Sequence, residues 1–387
     1  MTLVYVIAGE QSGDVLGARL ILALRAVRPD LAFAGIGGPR MEATGFTPLF
    51  PMHELAVMGL VEILPRIRRL RRLMQDTVAD IHARKPDVVV TIDSPGFNLR
   101  VLKQIRSFRR VHYVAPQVWA WKPERVREFP GLWDRLLCLL PFEPEWFAKH
   151  GIEGRFVGHP VLQSGAGNGN GALFRARHGL LPDAPVLILM PGSRRSEVSR
   201  LLPVFGETLT LLAARIPGLV PVVPVASAVA DTVRNATFAW KVQPVIVTGL
   251  DDKHDAYAAA SVALIKSGTS TLELALAGVP MAVTYRVNPI TAAIARRMIK
   301  IPYVSMVNLL AGRGLVPELL QHDCNPKRLA ETVEQLLGDR VVAQAQRDGF
   351  RAVMDSLRPP VGTPSDAAAR EVLTLLSQGQ VQPGVFG

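Results

Sequence analysis

The chain has 387 residues, 49% of them hydrophobic and 20% charged, which excludes disorder, a collagen-like repeat and a coiled coil; its length suits two domains of roughly 100–200 residues. Two cysteines, Cys138 and Cys324, are too few for a disulfide framework and match no zinc-site spacing, and no apolar run reaches the ~20 residues of a membrane span. Lys and Arg outnumber Asp and Glu by 11, so an anionic partner is expected: nucleic acid, a phosphorylated substrate or a membrane surface.

The opening MTLVYVIAGE holds one short apolar run with neither a basic lead nor a small-residue cleavage site. It is expected to be a first buried strand rather than a signal peptide, with a reducing cytoplasm as the compartment. Short aliphatic runs then alternate with helical patterns. They fall at residues 3–8, 32–36, 88–92, 111–114 and 135–140 in the first half, and at 186–190, 220–225, 245–247, 262–265 and 281–284 in the second. Continuous rather than alternating apolar strands are what a parallel sheet covered on both faces requires, so the fold class is α/β with two Rossmann-like, doubly wound parallel-sheet domains. The nearest approach to a span, residues 216–230, is broken by Pro217, Pro221 and Pro224. SGAGNGNG at 164–171 is the one internal low-complexity stretch and is taken as the linker. The expected division is a first domain at 1–163, a second at 172–340, C-terminal helices at 341–377 that pack back on the first domain or on a partner subunit, and a frayed tail at 378–387. Two such domains facing each other create a cleft at their strand C-termini, where α/β ligands bind.

In the first half, Gly9, Glu10, Ser12, Gly13 and Asp14 follow the first strand and open a helix. The G-x-G-x-x-G spacing is missing, so NAD binding is not expected, yet the loop faces the cleft; a helix N-cap role for Ser12 or Asp14 competes. Residues 57–73, VMGLVEILPRIRRLRRL, place Val57, Met58, Leu60, Val61, Ile63 and Leu64 ahead of Arg66, Arg68 and Arg69. That pattern suits either docking at a bilayer surface or an amphipathic helix with its apolar face on the core. Asp93 directly follows 88–92, where a base for a sugar hydroxyl is wanted; the competing reading has Asp93 or Ser94 capping the helix ahead. Trp119, in the loop QVWAWK, either covers a sugar ring or packs the sheet edge, and His159 precedes the linker as a turn or hinge residue as readily as a catalytic one.

In the second half, the strand at 186–190 ends in Pro191, Gly192, Ser193 and Arg194. Small residues there admit an anion to backbone N–H groups, and Arg194 can fork onto phosphate oxygens; a plain strand–helix turn is the alternative. Ser267, Gly268, Thr269 and Ser270 feed another helix start, a ready diphosphate cradle, with Glu273 one turn in to accept a ribose diol or to close a capping box. Asn308 and Gln321 are candidates to reach a sugar, and Val316-Pro317-Glu318 is expected to open a helix with Pro in its first turn.

Taken together, GEQSGD at 9–14, VMGLVEIL at 57–64, IDSPGFN at 92–98, PQVWAWK at 116–122, FVGHP at 156–160, PGSR at 191–194, SGTSTLE at 267–273 and VPELLQ at 316–321 resemble the lipid-A-disaccharide synthases, glycosyltransferases of the GT-B type. The resemblance implies condensation of UDP-2,3-diacylglucosamine with 2,3-diacylglucosamine 1-phosphate (lipid X), giving the β(1→6) disaccharide 1-phosphate and UDP. It implies acceptor binding by the first domain with Asp93 as base, and UDP-sugar binding by the second with Arg194 on the departing diphosphate. No D-x-D motif is present, so neither metal nor other cofactor is expected. The family is peripheral at the inner face of the cytoplasmic membrane, which favours lipid docking by 57–73 on an anionic surface, and it suggests a homodimer with C-terminal helices as exchange elements. A related sugar enzyme, such as a UDP-sugar 2-epimerase, shares the fold but has no use for the arginine-rich apolar segment. Nucleic-acid binding is disfavoured because no basic–aromatic interleaving is visible.

Overall fold

The computed structural model describes residues 2–55, 60–288, 291–292 and 301–378, with the side chains of 60–67 excepted. The chain divides into two compact units: Met1–Pro160 together with Leu357–Gly387, and Val161–Ser356.

Unit 1 is built on six parallel strands: β1 (Leu3–Ala8), β2 (Ala32–Ile36), β3 (Val88–Ile92), β4 (Arg110–Tyr113), β5 (Arg135–Cys138) and β6 (Gly154–Phe156). Their order across the sheet is β2-β1-β3-β4-β5-β6. β3 is buried along its whole length, as a strand covered on both faces must be. One face of the sheet packs on α1 (Gln11–Val27) through Leu16, Leu20, Ile21 and Leu24, and on the C-terminal helix Pro364–Ser377 through Ala368, Val372, Leu375 and Leu376. The opposite face is covered by Ile81, Leu99, Leu102, Phe129 and Trp133.

Unit 2 repeats the plan with β7 (Val186–Met190), β8 (Val220–Pro224), β9 (Val245–Val247), β10 (Val262–Lys266), β11 (Met281–Tyr285) and β12 (Glu318–Leu320), in the order β12-β11-β10-β7-β8-β9. All strand pairs in both sheets are parallel.

Three expectations change. Residues 316–321 do not open a helix, because Glu318 lies in the edge strand β12, where its carboxylate accepts the amides of Val304 (3.0 Å) and Ser305 (2.9 Å). Residues 164–171 are packed rather than loose: the Asn170 amide donates to Asp255 (2.7 Å), Asn170 caps the helix Gly171–Arg177, and a Cβ on Gly169 would lie 1.9 Å from the His254 carbonyl. The C-terminal helices do not act as one segment: Pro364–Ser377 packs back on unit 1, one of the two expected places, whereas Arg340–Ser356 belongs to unit 2.

Candidate functional site

In unit 1, β1 and β3 are neighbours, with Ala8 opposite Ile92, so the loops that follow them leave the sheet side by side. The fit is close: a Cβ on Gly9 would sit 2.8 Å from Ser94 Oγ, so a larger residue there requires the Ser94 side chain to shift. Asp93 still completes the ladder, its N–H donating to the Tyr113 carbonyl at 2.9 Å, but its φ is +50° and that of Ser94 is +43°. Non-glycine residues in this region cost on the order of 1–3 kcal/mol each, so the turn is held by its surroundings rather than by local preference. Neither Asp93 nor Ser94 acts as the expected cap: the helix α2 (Pro95–Leu102) that follows has Ser94 in the N-cap position without a side-chain hydrogen bond.

The Asp93 carboxyl is partly buried. Burial pushes its pKa up, the nearby Glu10 carboxylate pushes it further, and the Ser94 amide pulls the other way. Glu10 and Ser12 are exposed at the start of α1, whereas Gly13 is buried beside Ala8.

Asp14, expected in the cleft or as a cap, is buried and accepts the amides of Gly38 (2.8 Å), Arg40 (2.9 Å) and Met41 (3.0 Å). Those amides open the short helix Pro39–Glu42, so the carboxylate satisfies orphan N–H groups. Trp119 is buried as well, with Nε1 donating to Glu143 Oε1 at 3.2 Å. Glu143 Oε2 also accepts the amides of Leu139 and Leu140, both at 3.0 Å. Burial raises the Glu143 pKa to about 7 against the pull of those bonds. The aromatic that QVWAWK presents to solvent is Trp121, 42% exposed, with the Lys122 ammonium 5.0 Å above its ring. His159 is buried, which lowers its pKa to about 4, and its amide donates to the Leu357 carbonyl at 3.0 Å.

Val57 and Met58 lie outside the described residues, and the side chains of Leu60, Val61, Ile63, Leu64 and Arg66 are not described. The helix Leu60–Arg84 that carries the latter five is amphipathic further along: Leu73, Thr77 and Ile81 are buried, whereas Arg68, Arg69, Arg71 and Arg72 are exposed. Arg69 Nε donates to Glu54 at 2.8 Å.

In unit 2, β7 and β10 are neighbours and place the 191–194 and 267–269 loops side by side. Gly192 has φ +113°, and a Cβ there would lie 2.4 Å from Glu197 Oε2. Glu197, in the first turn of the helix Arg195–Ala213, accepts the amides of Ser193 (3.2 Å) and Arg194 (3.4 Å) and pairs with Lys266 Nζ at 3.0 Å. The amides expected to meet a phosphate thus already serve a carboxylate, while the Arg194 side chain is 66% exposed and 3.8 Å from the same group.

Ser267 is buried and donates through Oγ to the Val304 carbonyl at 2.8 Å; Gly268 and Thr269 are exposed ahead of the helix Ser270–Leu276. Glu273 does not close the capping box its spacing from Ser270 allows, since the N-cap is Thr269 and Leu272, not Glu273, is the third helical residue. Its Oε2 instead pairs with Lys253 Nζ at 2.8 Å and accepts from the Tyr257 hydroxyl at 3.3 Å. Among the described residues Oε1 is left for a further donor.

Asn308 is buried within the helix Met306–Ala311 and spends its amide internally. Nδ2 donates to the Val316 carbonyl (2.9 Å) and to Glu318 (2.8 Å), and Oδ1 accepts the Val316 amide (2.8 Å). It fixes a loop rather than reaching outward. Gln321 follows β12 with φ +51°, its Oε1 accepting the Val287 amide at 3.4 Å. Lys266, Lys253 and Tyr257 were not singled out from sequence; Lys266 stands directly before the 267–270 loop, which is the signal that marks it.

The model of the lipid-A-disaccharide synthetase family matches residues 4–372. The lipid-A-disaccharide synthase of Gluconobacter oxydans is 63% identical over 377 residues, 97% of this chain and 91% of its own length. Among solved structures, the Staphylococcus aureus MnaA–UDP complex aligns with a TM-score of 0.65 at 15% identity, over all of both chains. The calicheamicin glycosyltransferase CalG4 aligns at 0.60 and 18%, over 98% of this chain and 99% of its own. At those identities the structural likeness speaks to the shared two-sheet fold alone, the one glycosyltransferases of the GT-B type adopt. The sequence relationship goes further, and on it the chain belongs to the lipid-A-disaccharide synthase family.

Proposed function

We propose that this glycosyltransferase condenses UDP-2,3-diacylglucosamine with 2,3-diacylglucosamine 1-phosphate, forming the β(1→6) disaccharide 1-phosphate of lipid A biosynthesis and releasing UDP. Unit 2 binds the donor. The Arg194 guanidinium and the Ser267–Gly268–Thr269–Ser270 loop take the diphosphate, Gly192 and Ser193 shape the turn beneath it, and Glu273 Oε1 accepts from the ribose. Unit 1 binds the acceptor along the Gly9–Glu10 loop. Asp93 removes the proton of the 6-hydroxyl as that oxygen attacks the anomeric carbon. The C–O bond to the diphosphate breaks in the same displacement, which inverts the centre, and Arg194 with the helix N-termini stabilises the charge left on UDP.

The observation that carries the reading is Asp93 itself: a partly buried carboxyl with a raised pKa, held at a strand end by a left-handed turn. A base poised this way takes up a proton more readily than a solvated aspartate does. The exposed Arg68, Arg69, Arg71 and Arg72 support docking of residues 57–73 on an anionic membrane surface, where acylated substrates reside.

Incubating the protein with both acylated sugars, with and without a chelator, tests the proposal. UDP and disaccharide should appear in equal amounts and only when the acceptor is present. UDP release or sugar epimerisation without acceptor contradicts it.

A further inference from the structure

We infer that Asn98 is a positioning residue for Asp93, clamping the strained turn that holds the base in place; the inference rests on Asp93 as the base. Non-glycine residues with positive φ follow the last ladder bond of three strands: Asp93 after β3 (φ +50°), Val114 after β4 (φ +79°) and Gln321 after β12 (φ +51°). In each, the amide still donates to the neighbouring strand before the chain turns away: Asp93 to Tyr113 at 2.9 Å, Val114 to Leu137 at 3.1 Å and Gln321 to Tyr285 at 2.9 Å. Among the described residues, two such residues are consecutive only after β3, because Ser94 is left-handed as well (φ +43°).

Among the described residues no backbone amide of a neighbouring loop donates to the carbonyls of Ile92 and Asp93. Asn98 supplies a donor to both. From one turn into α2 its Nδ2 donates to the Ile92 carbonyl at 3.0 Å and to the Asp93 carbonyl at 2.8 Å. The side chain is fully buried, and its Oδ1 has no hydrogen-bond partner among the described residues. An amide that forgoes one partner in order to keep both donors on the backbone of the base is oriented by those two carbonyls. Flipping it would set oxygen against oxygen. The side chain therefore fixes the peptide on either side of the Asp93 Cα and, through it, the direction in which the carboxyl leaves the turn. It touches no reacting atom.

The experiment compares Asn98→Ala, Asn98→Ala with Ser94→Gly, and Asp93→Asn, following kcat, the KM for the donor, the pH dependence of kcat and thermal unfolding. Asn98→Ala should lower kcat at least tenfold and shift the acid limb of the kcat profile, with donor KM within twofold of the parent. Adding Ser94→Gly should restore part of kcat, since glycine adopts the left-handed conformation without penalty; a residue that merely fills the core gives no such rescue. If Asn98→Ala does not fold, Asn98→Leu keeps the volume, has no donor and should show the same kcat loss. Unchanged kcat in a folded Asn98 variant overturns the clamp, as does a loss of kcat that only parallels loss of fold and of donor binding. An active Asp93→Asn enzyme overturns the reading of Asp93 itself, whereas an inactive one beside a normal Asn98→Ala enzyme overturns the clamp alone.

Discussion

Replacing Asp93 with Asn separates two consequences of one side chain. The variant loses the proton acceptor, so transfer should fall by about 10²–10⁴-fold. It also loses a carboxyl whose ionisation is disfavoured by burial and by Glu10. A raised folded pKa means that this group's contribution to stability is present at low pH and is lost as pH rises through the folded value. Asp93→Asn should therefore unfold at a higher temperature than the parent at neutral pH, with the gain vanishing in acid, as scanning calorimetry against pH would record. In the parent, the acid limb of kcat/KM should lie above the ordinary aspartate range. A variant that is both active and less stable contradicts both halves. The place of Asp93 at the end of β3 was legible in the sequence because the carboxylate directly follows a continuous apolar run. The commitments of Asp14, Trp119 and Asn308 were not, since each depends on partners brought in by the fold: Gly38, Glu143 and Val316.

At the scale of elements, ten of the twelve strands were visible in sequence as short apolar runs, the three-residue β9 among them, whereas β6 and β12 were not. β6 is Gly-Arg-Phe and offers no apolar run, and β12 begins with a charged Glu318 that is held by two backbone amides and Asn308. The QVWAWK segment, expected as a loop but helical over Val118–Trp121, is likewise fixed by one buried group, Glu143, which joins Trp119 to the backbone at Leu139 and Leu140. Its pKa of about 7 against an ordinary 4.5 fixes the sign of a pH effect. The contribution of Glu143 to stability is present below the ordinary value and is lost as pH rises toward 7. His112 and His159, both lowered by burial, act in the opposite direction, so the informative quantity is the difference between parent and Glu143→Gln unfolding temperatures. That difference should change between pH 4.5 and 7 and be flat above. A difference that is constant across the whole range contradicts the assignment.

At the scale of the whole molecule, the first unit is discontinuous: it takes its last helix, Pro364–Ser377, from the far end of the chain. An amphipathic helix carries no address, which is why the sequence marked this one only as a C-terminal helix that could pack in several places. Its Val372, Leu375 and Leu376 belong to the same core as Val4, Val6, Leu20 and Leu24. Burial of three such side chains is worth about 5–9 kcal/mol, comparable with the roughly 5–15 kcal/mol that separates a folded domain from its unfolded chain. Truncation after Ser356 should leave unit 2 resistant to protease while unit 1 is cut throughout; equal resistance of both contradicts the division. The two units also divide the proposed chemistry, with nucleotide on one and base on the other. Calorimetric titration of UDP into the parent, Asp93→Asn and Glu273→Gln proteins tests that division most directly. The account predicts parent-like affinity for Asp93→Asn and at least tenfold weaker binding for Glu273→Gln; weakened binding in the first with parent-like binding in the second would contradict it.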